Sequence, residues 1–341
     1  MTRRLRVSVT LLLVVYAAIS FAGFVAPYSP TEQNRSAVFL PPARVHLIES
    51  SGRIHFWPFV YRMAARPGSL TDYDEDPGRA FPIRLLARGA PYRLAGVLAW
   101  DRHLFGVDEP ATIFLFGSDQ FGRDIFSRIL FGGQVSIAAG LIAAAFAVGL
   151  GLLLGGLAGF YGGWVDEAIM RVAELFLALP WLYLLLAVRS LLPLHIGPAQ
   201  PFFLLIAVIG VVGWARPARL VRGMVSSARV RDHVVAARAF GATDAYLLRR
   251  HVLPQTVGVV VTQLAVLVPQ YTLAEVTLSF FGLGVGEPLP SWGNMLASAQ
   301  RYDVLHSYWW MLTPGIALIP VFLLYYSLAN SLQRRFAHLS L

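Results

Sequence analysis

The sequence predicts an all-α polytopic membrane protein, and three observations carry that prediction. Of its 341 residues, 56% are hydrophobic and only 14% charged, with a mean hydropathy of +0.60, whereas soluble domains carry about a quarter charged residues. Six apolar stretches, near residues 7–26, 135–160, 168–188, 202–215, 255–281 and 309–332, approach the roughly 20 residues a bilayer-crossing helix needs. The charge between them is sorted by position. Backbone polar groups in lipid must be satisfied within their own segment, so these runs are read as helices.

Composition also excludes several function classes. There is no cysteine, which removes disulfides, thiolate catalysis and cysteine-based metal sites. There is no lysine either: all 28 basic residues are arginine. A phosphate-binding loop of the Walker type needs a lysine, so the chain cannot be a P-loop ATPase by itself. The eight histidines have no HExxH or other ligand spacing, so no metal site is expected. No Ser/His/Asp set forms a local motif, and no catalytic residue is expected.

The first run follows Arg3, Arg4 and Arg6 and so also has the look of a secretory signal peptide. It is longer than a usual signal core, and "GFVAPYSP" lacks a clean small-x-small cleavage site, so a retained helix is expected. Arginine counts beside the spans set the direction. Three arginines precede the first run, and Arg334 and Arg335 follow the last. Residues 216–251 hold eight arginines against Asp232 and Asp244, whereas residues 27–132 hold twelve against eleven acids. Both termini are expected in the cytoplasm and residues 27–132 outside it. The net charge of +9 therefore marks topology rather than a nucleic-acid surface.

Residues 27–132 are rich in Pro, Arg, Asp and aromatics, with strand-like pieces in "RVHLIE" and "GRIHFWPFVY". A small folded insertion is expected there. The run "TDYDEDPG" gathers Asp72, Asp74, Glu75 and Asp76 but lacks EF-hand spacing and the distal glutamate, so a solvated acidic turn is expected rather than a calcium site. In the second span Gly151, Gly155 and Gly159 form a stripe that lets another helix approach closely, in this chain or in another. The fourth run is short and is expected to continue past Pro217. The fifth contains Pro269, expected to kink it. Its outer half carries Glu275, Thr277 and Ser279. An ionisable group at such depth faces a cavity or a partner, so Glu275 lines a solute path or bonds to a neighbouring helix. Arg171 and Glu174 are expected to pair on one helix face.

The polar segment "RVRDHVVAARAFGATDAYLLRRHVLP", residues 229–254, separates two apolar runs. Residues 231–240 suit a short helix in which Ala236, Ala237 and Ala239 allow close contact. Gly241 suits the left-handed residue that ends it. Thr243 or Asp244 can cap a second helix, and Pro254 opens the next run. The small, apolar face of such an elbow has no lipid to meet and is expected to meet protein.

"AARAFG" followed by "HVLP" resembles the EAA loop of binding-protein-dependent ABC importer permeases, and is most similar to the C-type permease of oligopeptide and dipeptide importers. Ala236, Ala237, Gly241, Leu253 and Pro254 fall on motif positions, while Val235 stands where the family has glutamate. "GSDQFGRDIFSRILFGG", residues 117–133, resembles the signature before the family's second span. "LSFFGLGVGEPLPSWGNML", residues 278–296, resembles the stretch leaving its fifth. The resemblance covers residues 114–335 and, in a general way, the first span.

It implies a type I ABC importer permease fold with six transmembrane helices in the bacterial inner membrane. Residues 1–26 would hold the amino terminus and first helix, and 27–132 an extracytoplasmic insertion. Residues 133–332 would form a permease core with a coupling loop at 216–253, leaving 333–341 as a cytoplasmic tail. Val235, Ala236, Ala237, Arg238, Gly241, Ala242, Leu253 and Pro254 would couple to an ATPase. Glu275, Thr277 and Ser279 would line the path. Gly117, Asp119, Gly122, Arg123, Asp124, Arg128 and Trp292 would form an outer structural or receptor-contact motif, with Trp292 at the headgroup level or serving as a plug. The implied partners are a second, different permease chain, two ABC ATPase subunits, an extracytoplasmic solute-binding protein and membrane lipid. ATP and magnesium would be used by the ATPase, with no cofactor on this chain. The alternatives from the residues alone are a self-contained proton-coupled secondary transporter, with Glu275 titrating, and a receptor-like membrane protein. The former calls for an internal repeat of spans, and both leave the elbow without a purpose.

Overall fold

The computed structural model describes residues 3–50, 52–69, 71–94, 97–180, 183, 186–187 and 200–337. Its contacts divide the chain into two units. One comprises Met1–Leu12, Ile137–Leu278 and Val321–Leu341, and the other Leu13–Ser136 and Ser279–Pro320.

Among the described residues four helices are long and apolar enough to cross a membrane: Ile125–Tyr161, Phe202–Ala228, Asp244–Phe280 and Trp309–Phe336. The chain is thus a mostly helical, polytopic membrane protein. Two of the six expected spans lie outside this set. The first comes as two pieces, α1 (Arg3–Ser20) and α2 (Ala22–Val25), interrupted at Phe21. Its arginines leave residues 7–20 as apolar helix, short of a full span by itself. The expected span at 168–188 begins within α4 (Gly163–Ala178), and much of its remainder lies outside the described residues.

In the first unit, α3 (Ile125–Tyr161) enters from Ile137 onward and runs to its end. The fourth span continues past Pro217 as expected. It consists of α5 (Gln200–Gly213) and α6 (Ala215–Ala228), with a turn at Trp214 between them. Pro217 sits in the first turn of α6, where a missing N–H breaks no internal bond. The glycine stripe finds its neighbour in this chain. A methyl group on Gly155 would overlap the Ala218 carbonyl, one on Gly159 would lie 2.6 Å from the Arg222 oxygen, and one on Gly151 would lie 2.6 Å from Pro217 Cβ. The backbones of α3 and α6 touch where these positions lack a side chain. Arg222 closes the same region by pairing with Asp166 of α4 through Nε at 2.9 Å, and Arg171 lies 3.7 Å from Glu174 as expected.

Helices α7 (Asp232–Ala239) and α8 (Asp244–Leu247) follow, and here the structure differs from expectation. The second helix of the elbow does not stop before the fifth span. A π turn at Leu248–Val252 and a 3₁₀ turn at Leu253–Thr256 join it to α9 (Val257–Phe280) in one continuous helical run. No glycine or capping residue interrupts residues 244–256. The widened and then tightened turns accommodate Pro254, which offers no N–H.

The second unit holds the strands, so the all-α description applies only outside residues 46–106. Strands β1 (His46–Ile48), β2 (Ile54–Ala65) and β3 (Tyr73–Pro82) form an antiparallel sheet in that order, with Val60 opposite Phe81 and Ala65 opposite Tyr73. Strands β4 (Arg84–Leu94) and β5 (Leu98–Gly106) form a separate hairpin, with Leu94 opposite Leu98. Val60, Phe81, Ala111 and Ile113 make the buried core beside these strands. Both strand-like pieces read from the sequence are strands. The acidic run, expected to be a turn, is largely the start of β3, because its charges find cross-strand partners. Asp74 lies 2.8 Å from Arg66 and Glu75 3.1 Å from His46. Among the described residues no group of three metal-ligating side chains gathers there or elsewhere. Short helices α10 (Trp292–Ala297) and α11 (Tyr302–Ser307) and the start of α12 (Thr313–Ala337) complete this unit.

Candidate functional site

The elbow belongs to the first unit and is built on an apolar base. Val234, Leu247 and Val252 are buried together with Phe160 of α3 and with Val221, Val225 and Ala228 of α6. These three side chains anchor the polar segment on the two helices. The turn between α7 and α8 follows from local chemistry. Gly241 adopts φ +86°, the left-handed conformation that favours glycine. The Thr243 hydroxyl accepts from the Tyr246 N–H, so threonine rather than Asp244 is the cap. Asp244 instead accepts from Arg238 at 3.2 Å, across the turn, and the Arg238 guanidinium lies over the Phe160 ring.

The sequence-predicted coupling residues separate by face. Val235, Ala236, Arg238, Gly241 and Pro254 are exposed. Ala237, Ala242 and Leu253 pack onto the apolar base and hold the elbow in place. Two exposed aromatics outside the predicted set complete the outer face: Phe240, 92% exposed at the tip, and Tyr246. Phe240 had a signal in the sequence, since an aromatic beside a turn glycine in a polar loop is poorly placed for any core. The elbow thus presents a small and apolar outer surface on a buried apolar base.

The second constellation lies in the second unit and centres on Glu287, a residue that sequence reasoning missed. Arg123 donates from Nη1 to Glu287 Oε2 at 2.7 Å and from Nη2 to Oε1 at 3.1 Å. Arg128 donates to Oε1 at 3.0 Å and to the Pro30 carbonyl at 3.1 Å. Asp119 completes the set: its carboxylate accepts from Arg123 Nε at 2.7 Å and from the backbone N–H groups of Phe121 and Arg123. Gly117 and Gly122 both take positive φ in the turns around it. Burial alone would raise the Glu287 carboxyl, but the guanidinium groups of Arg123 and Arg128 outweigh it and hold it below the usual range. Asp119, Arg123 and Arg128 are all buried, and their bonds tie the turn at residues 117–124 and the start of α3 to Glu287. A cavity of about 430 Å³ opens beside it, lined among others by Arg123, Glu287 and Arg301.

Asp124 has a different role. Its Oδ2 accepts from the Ser127 N–H at 2.8 Å and from the Ser127 hydroxyl, while Oδ1 is buried and accepts no hydrogen bond. Burial pushes its carboxyl up to about 7, against the pull of the Ser127 contacts. Trp292 departs from both expectations for it. It is 1% exposed, and its indole N–H donates to the Ile129 carbonyl at 2.9 Å. It therefore fills protein interior against Gly132 and Gly133 instead of meeting headgroups. Glu275 is wholly buried, Thr277 returns its hydroxyl to the Leu273 carbonyl, and Ser279 accepts from the Val285 N–H at 3.1 Å.

A mostly helical, polytopic membrane chain with an exposed elbow between two long helices is the class that fold and site define. The family model described as binding-protein-dependent transport system inner membrane component matches residues 151–338. The chain belongs to that family. It is 35% identical over 203 residues to the dipeptide transport system permease protein DppC of Bacillus subtilis (strain 168), covering 60% of this chain and 61% of that one. It is 34% identical over 211 residues to the oligopeptide transport system permease protein OppC of the same strain, covering 62% of this chain and 67% of that one. The chain thus spans less than two thirds of the length of the first of these relatives. Among solved structures, a chain of the inward-facing MetNI methionine ABC transporter resembles it with a TM-score of 0.49 at 16% identity, covering 61% of this chain and 96% of that one.

Proposed function

We propose that this chain is a permease subunit of an ATP-driven ABC importer for dipeptides or oligopeptides. It forms half of a pore in the bacterial inner membrane and hydrolyses nothing itself. The observation that carries the reading is the elbow, which presents Val235, Ala236, Phe240 and Gly241 outward from a buried base of Val234, Leu247 and Val252. That surface suits a cleft on an ATPase subunit, which would use ATP and magnesium. The peptide assignment is supported by the printed names of relatives at 35% and 34% identity. A second, different permease chain would supply the other half of the pore, and a solute-binding protein would deliver peptide from outside. With the elbow in the cytoplasm, both termini lie there too, as the arginine distribution requires. Glu275 is the buried ionisable group assigned to the helix bundle beside the path. Closure of the two ATPases on ATP would move the elbows and switch access to the pore as a rigid-body rearrangement.

The test is purification of the tagged chain from its own membranes in mild detergent, followed by identification of the chains that accompany it. An ATP-hydrolysing subunit is expected. Phe240→Asp should lower its recovery at least about tenfold while leaving the permease in the membrane, since docking would then have to desolvate a charge where it now covers an exposed ring. Full recovery with the aspartate variant, or a preparation without any ATPase, would overturn the docking role.

A further inference from the structure

We infer that the β4–β5 hairpin dips into the outer leaflet of the bilayer beside the first helix. The inference rests on the membrane reading above and concerns a part of the chain to which no role has yet been given. The strands pack on the end of that helix with a definite direction. Near the hairpin base, His103 Nδ1 lies 2.6 Å from the Ala26 carbonyl, and a methyl on Gly89 would lie 3.6 Å from the Pro27 oxygen. Three residues nearer the tip, the Tyr92 ring lies so close to Gly23 that a methyl there would overlap it. Contact therefore moves back along the helix, from Pro27 towards Gly23, as the hairpin runs towards its tip. Tyr92 pairs with Trp100, so Val97 lies three residues further on, about 10 Å at strand rise. About ten ångströms back from Gly23 reaches Tyr16 at helix rise, so the extension points the tip along α1 towards the segment whose Leu13 and Val14 are uncovered by protein.

The side chains suit that position. Val97 is 88% exposed, and Leu98 and Trp100 are exposed with it near the tip. A free hairpin tip in water would not carry such a set. Residues 84–106 hold four arginines, Arg84, Arg88, Arg93 and Arg102, against Asp101 alone. Trp100 and Tyr92 lie between the apolar tip and Arg84, Arg88 and Arg102, while Arg93 stands one position nearer the tip, at the level where a guanidinium reaches back to headgroups. The occupant of this surface is lipid with anionic headgroups.

The chain lacks cysteine, so single cysteines can be introduced without background. Val97→Cys and Leu13→Cys, each labelled with NBD, are to be placed in the full-length chain in vesicles of phosphatidylethanolamine and phosphatidylglycerol. The expected result is loss of emission at position 97 with acyl-chain nitroxide lipids, comparable with the loss at position 13, and protection from aqueous iodide. Iodide quenching at 97 with lipid quenching at 13 would overturn the hairpin inference and leave the membrane reading intact. Protection at 97 from both quenchers would overturn it as well, by showing a protein covering. Aqueous exposure at both positions would sink the membrane reading of the first helix.

Discussion

Asp124 shows how one buried group can tie stability to pH. Its folded value of about 7 lies above the 3.8 of a free aspartate, because burial disfavours the charge. A raised value for an acid means that the folded state binds the proton more tightly than the unfolded chain does. Its contribution is fully present below about pH 4 and is lost as pH rises towards 7. Asp124→Asn keeps an oxygen for Ser127 and removes the ionisation. The variant should lose the part of the thermal-stability profile that declines between pH 4 and 7, as read from unfolding in detergent. An unchanged slope would show that Asp124 stays charged in the fold. The same scale shows what the sequence withheld. Gly241 and Thr243 were legible because a left-handed turn and a cap are local chemistry. Glu287 was not, because it reaches Arg123 across 164 residues and no spacing rule connects them.

Elements divide in the same way. The α3–α6 contact was half legible: the glycine stripe announced a close neighbour, and only the structure placed that neighbour at Ala218 and Arg222. Substitution along α3 should therefore be sharply position-dependent. Gly155→Leu forces a branched side chain into the Ala218 backbone and should cost about 1–3 kcal/mol or prevent folding altogether. Gly149→Ala, on the same helix, meets nothing within 4 Å and should be neutral or stabilising by roughly 0.5–1 kcal/mol through helix propensity. Thermal unfolding of the two purified variants checks the contrast; equal behaviour would show that the stripe carries no packing. The strands were legible where alternation was strong, in "GRIHFWPFVY". The acidic run was misjudged because composition alone does not reveal that Arg66, just after β2, and His46, on β1, wait within reach of it.

For the whole molecule, hydropathy identified a polytopic helical protein and placed most of its spans, since burial in lipid demands long apolar runs. It overestimated the integrity of the first span, where arginines take up the initial turn, and it had no means of tracing the join between elbow and fifth span. The sidedness read from arginines gives a whole-molecule prediction. Phe56→Cys on β2 and Phe240→Cys on the elbow should react with an impermeant maleimide from opposite sides of sealed vesicles, both positions being almost fully exposed. Labelling of both from one side would contradict the proposed topology.

The unbroken helix from Asp244 onward has a mechanical corollary. A rod of 37 residues measures about 55 Å, enough to reach from the aqueous side through the hydrocarbon. Push or twist applied at its free end is delivered along its length instead of being dissipated in a flexible joint.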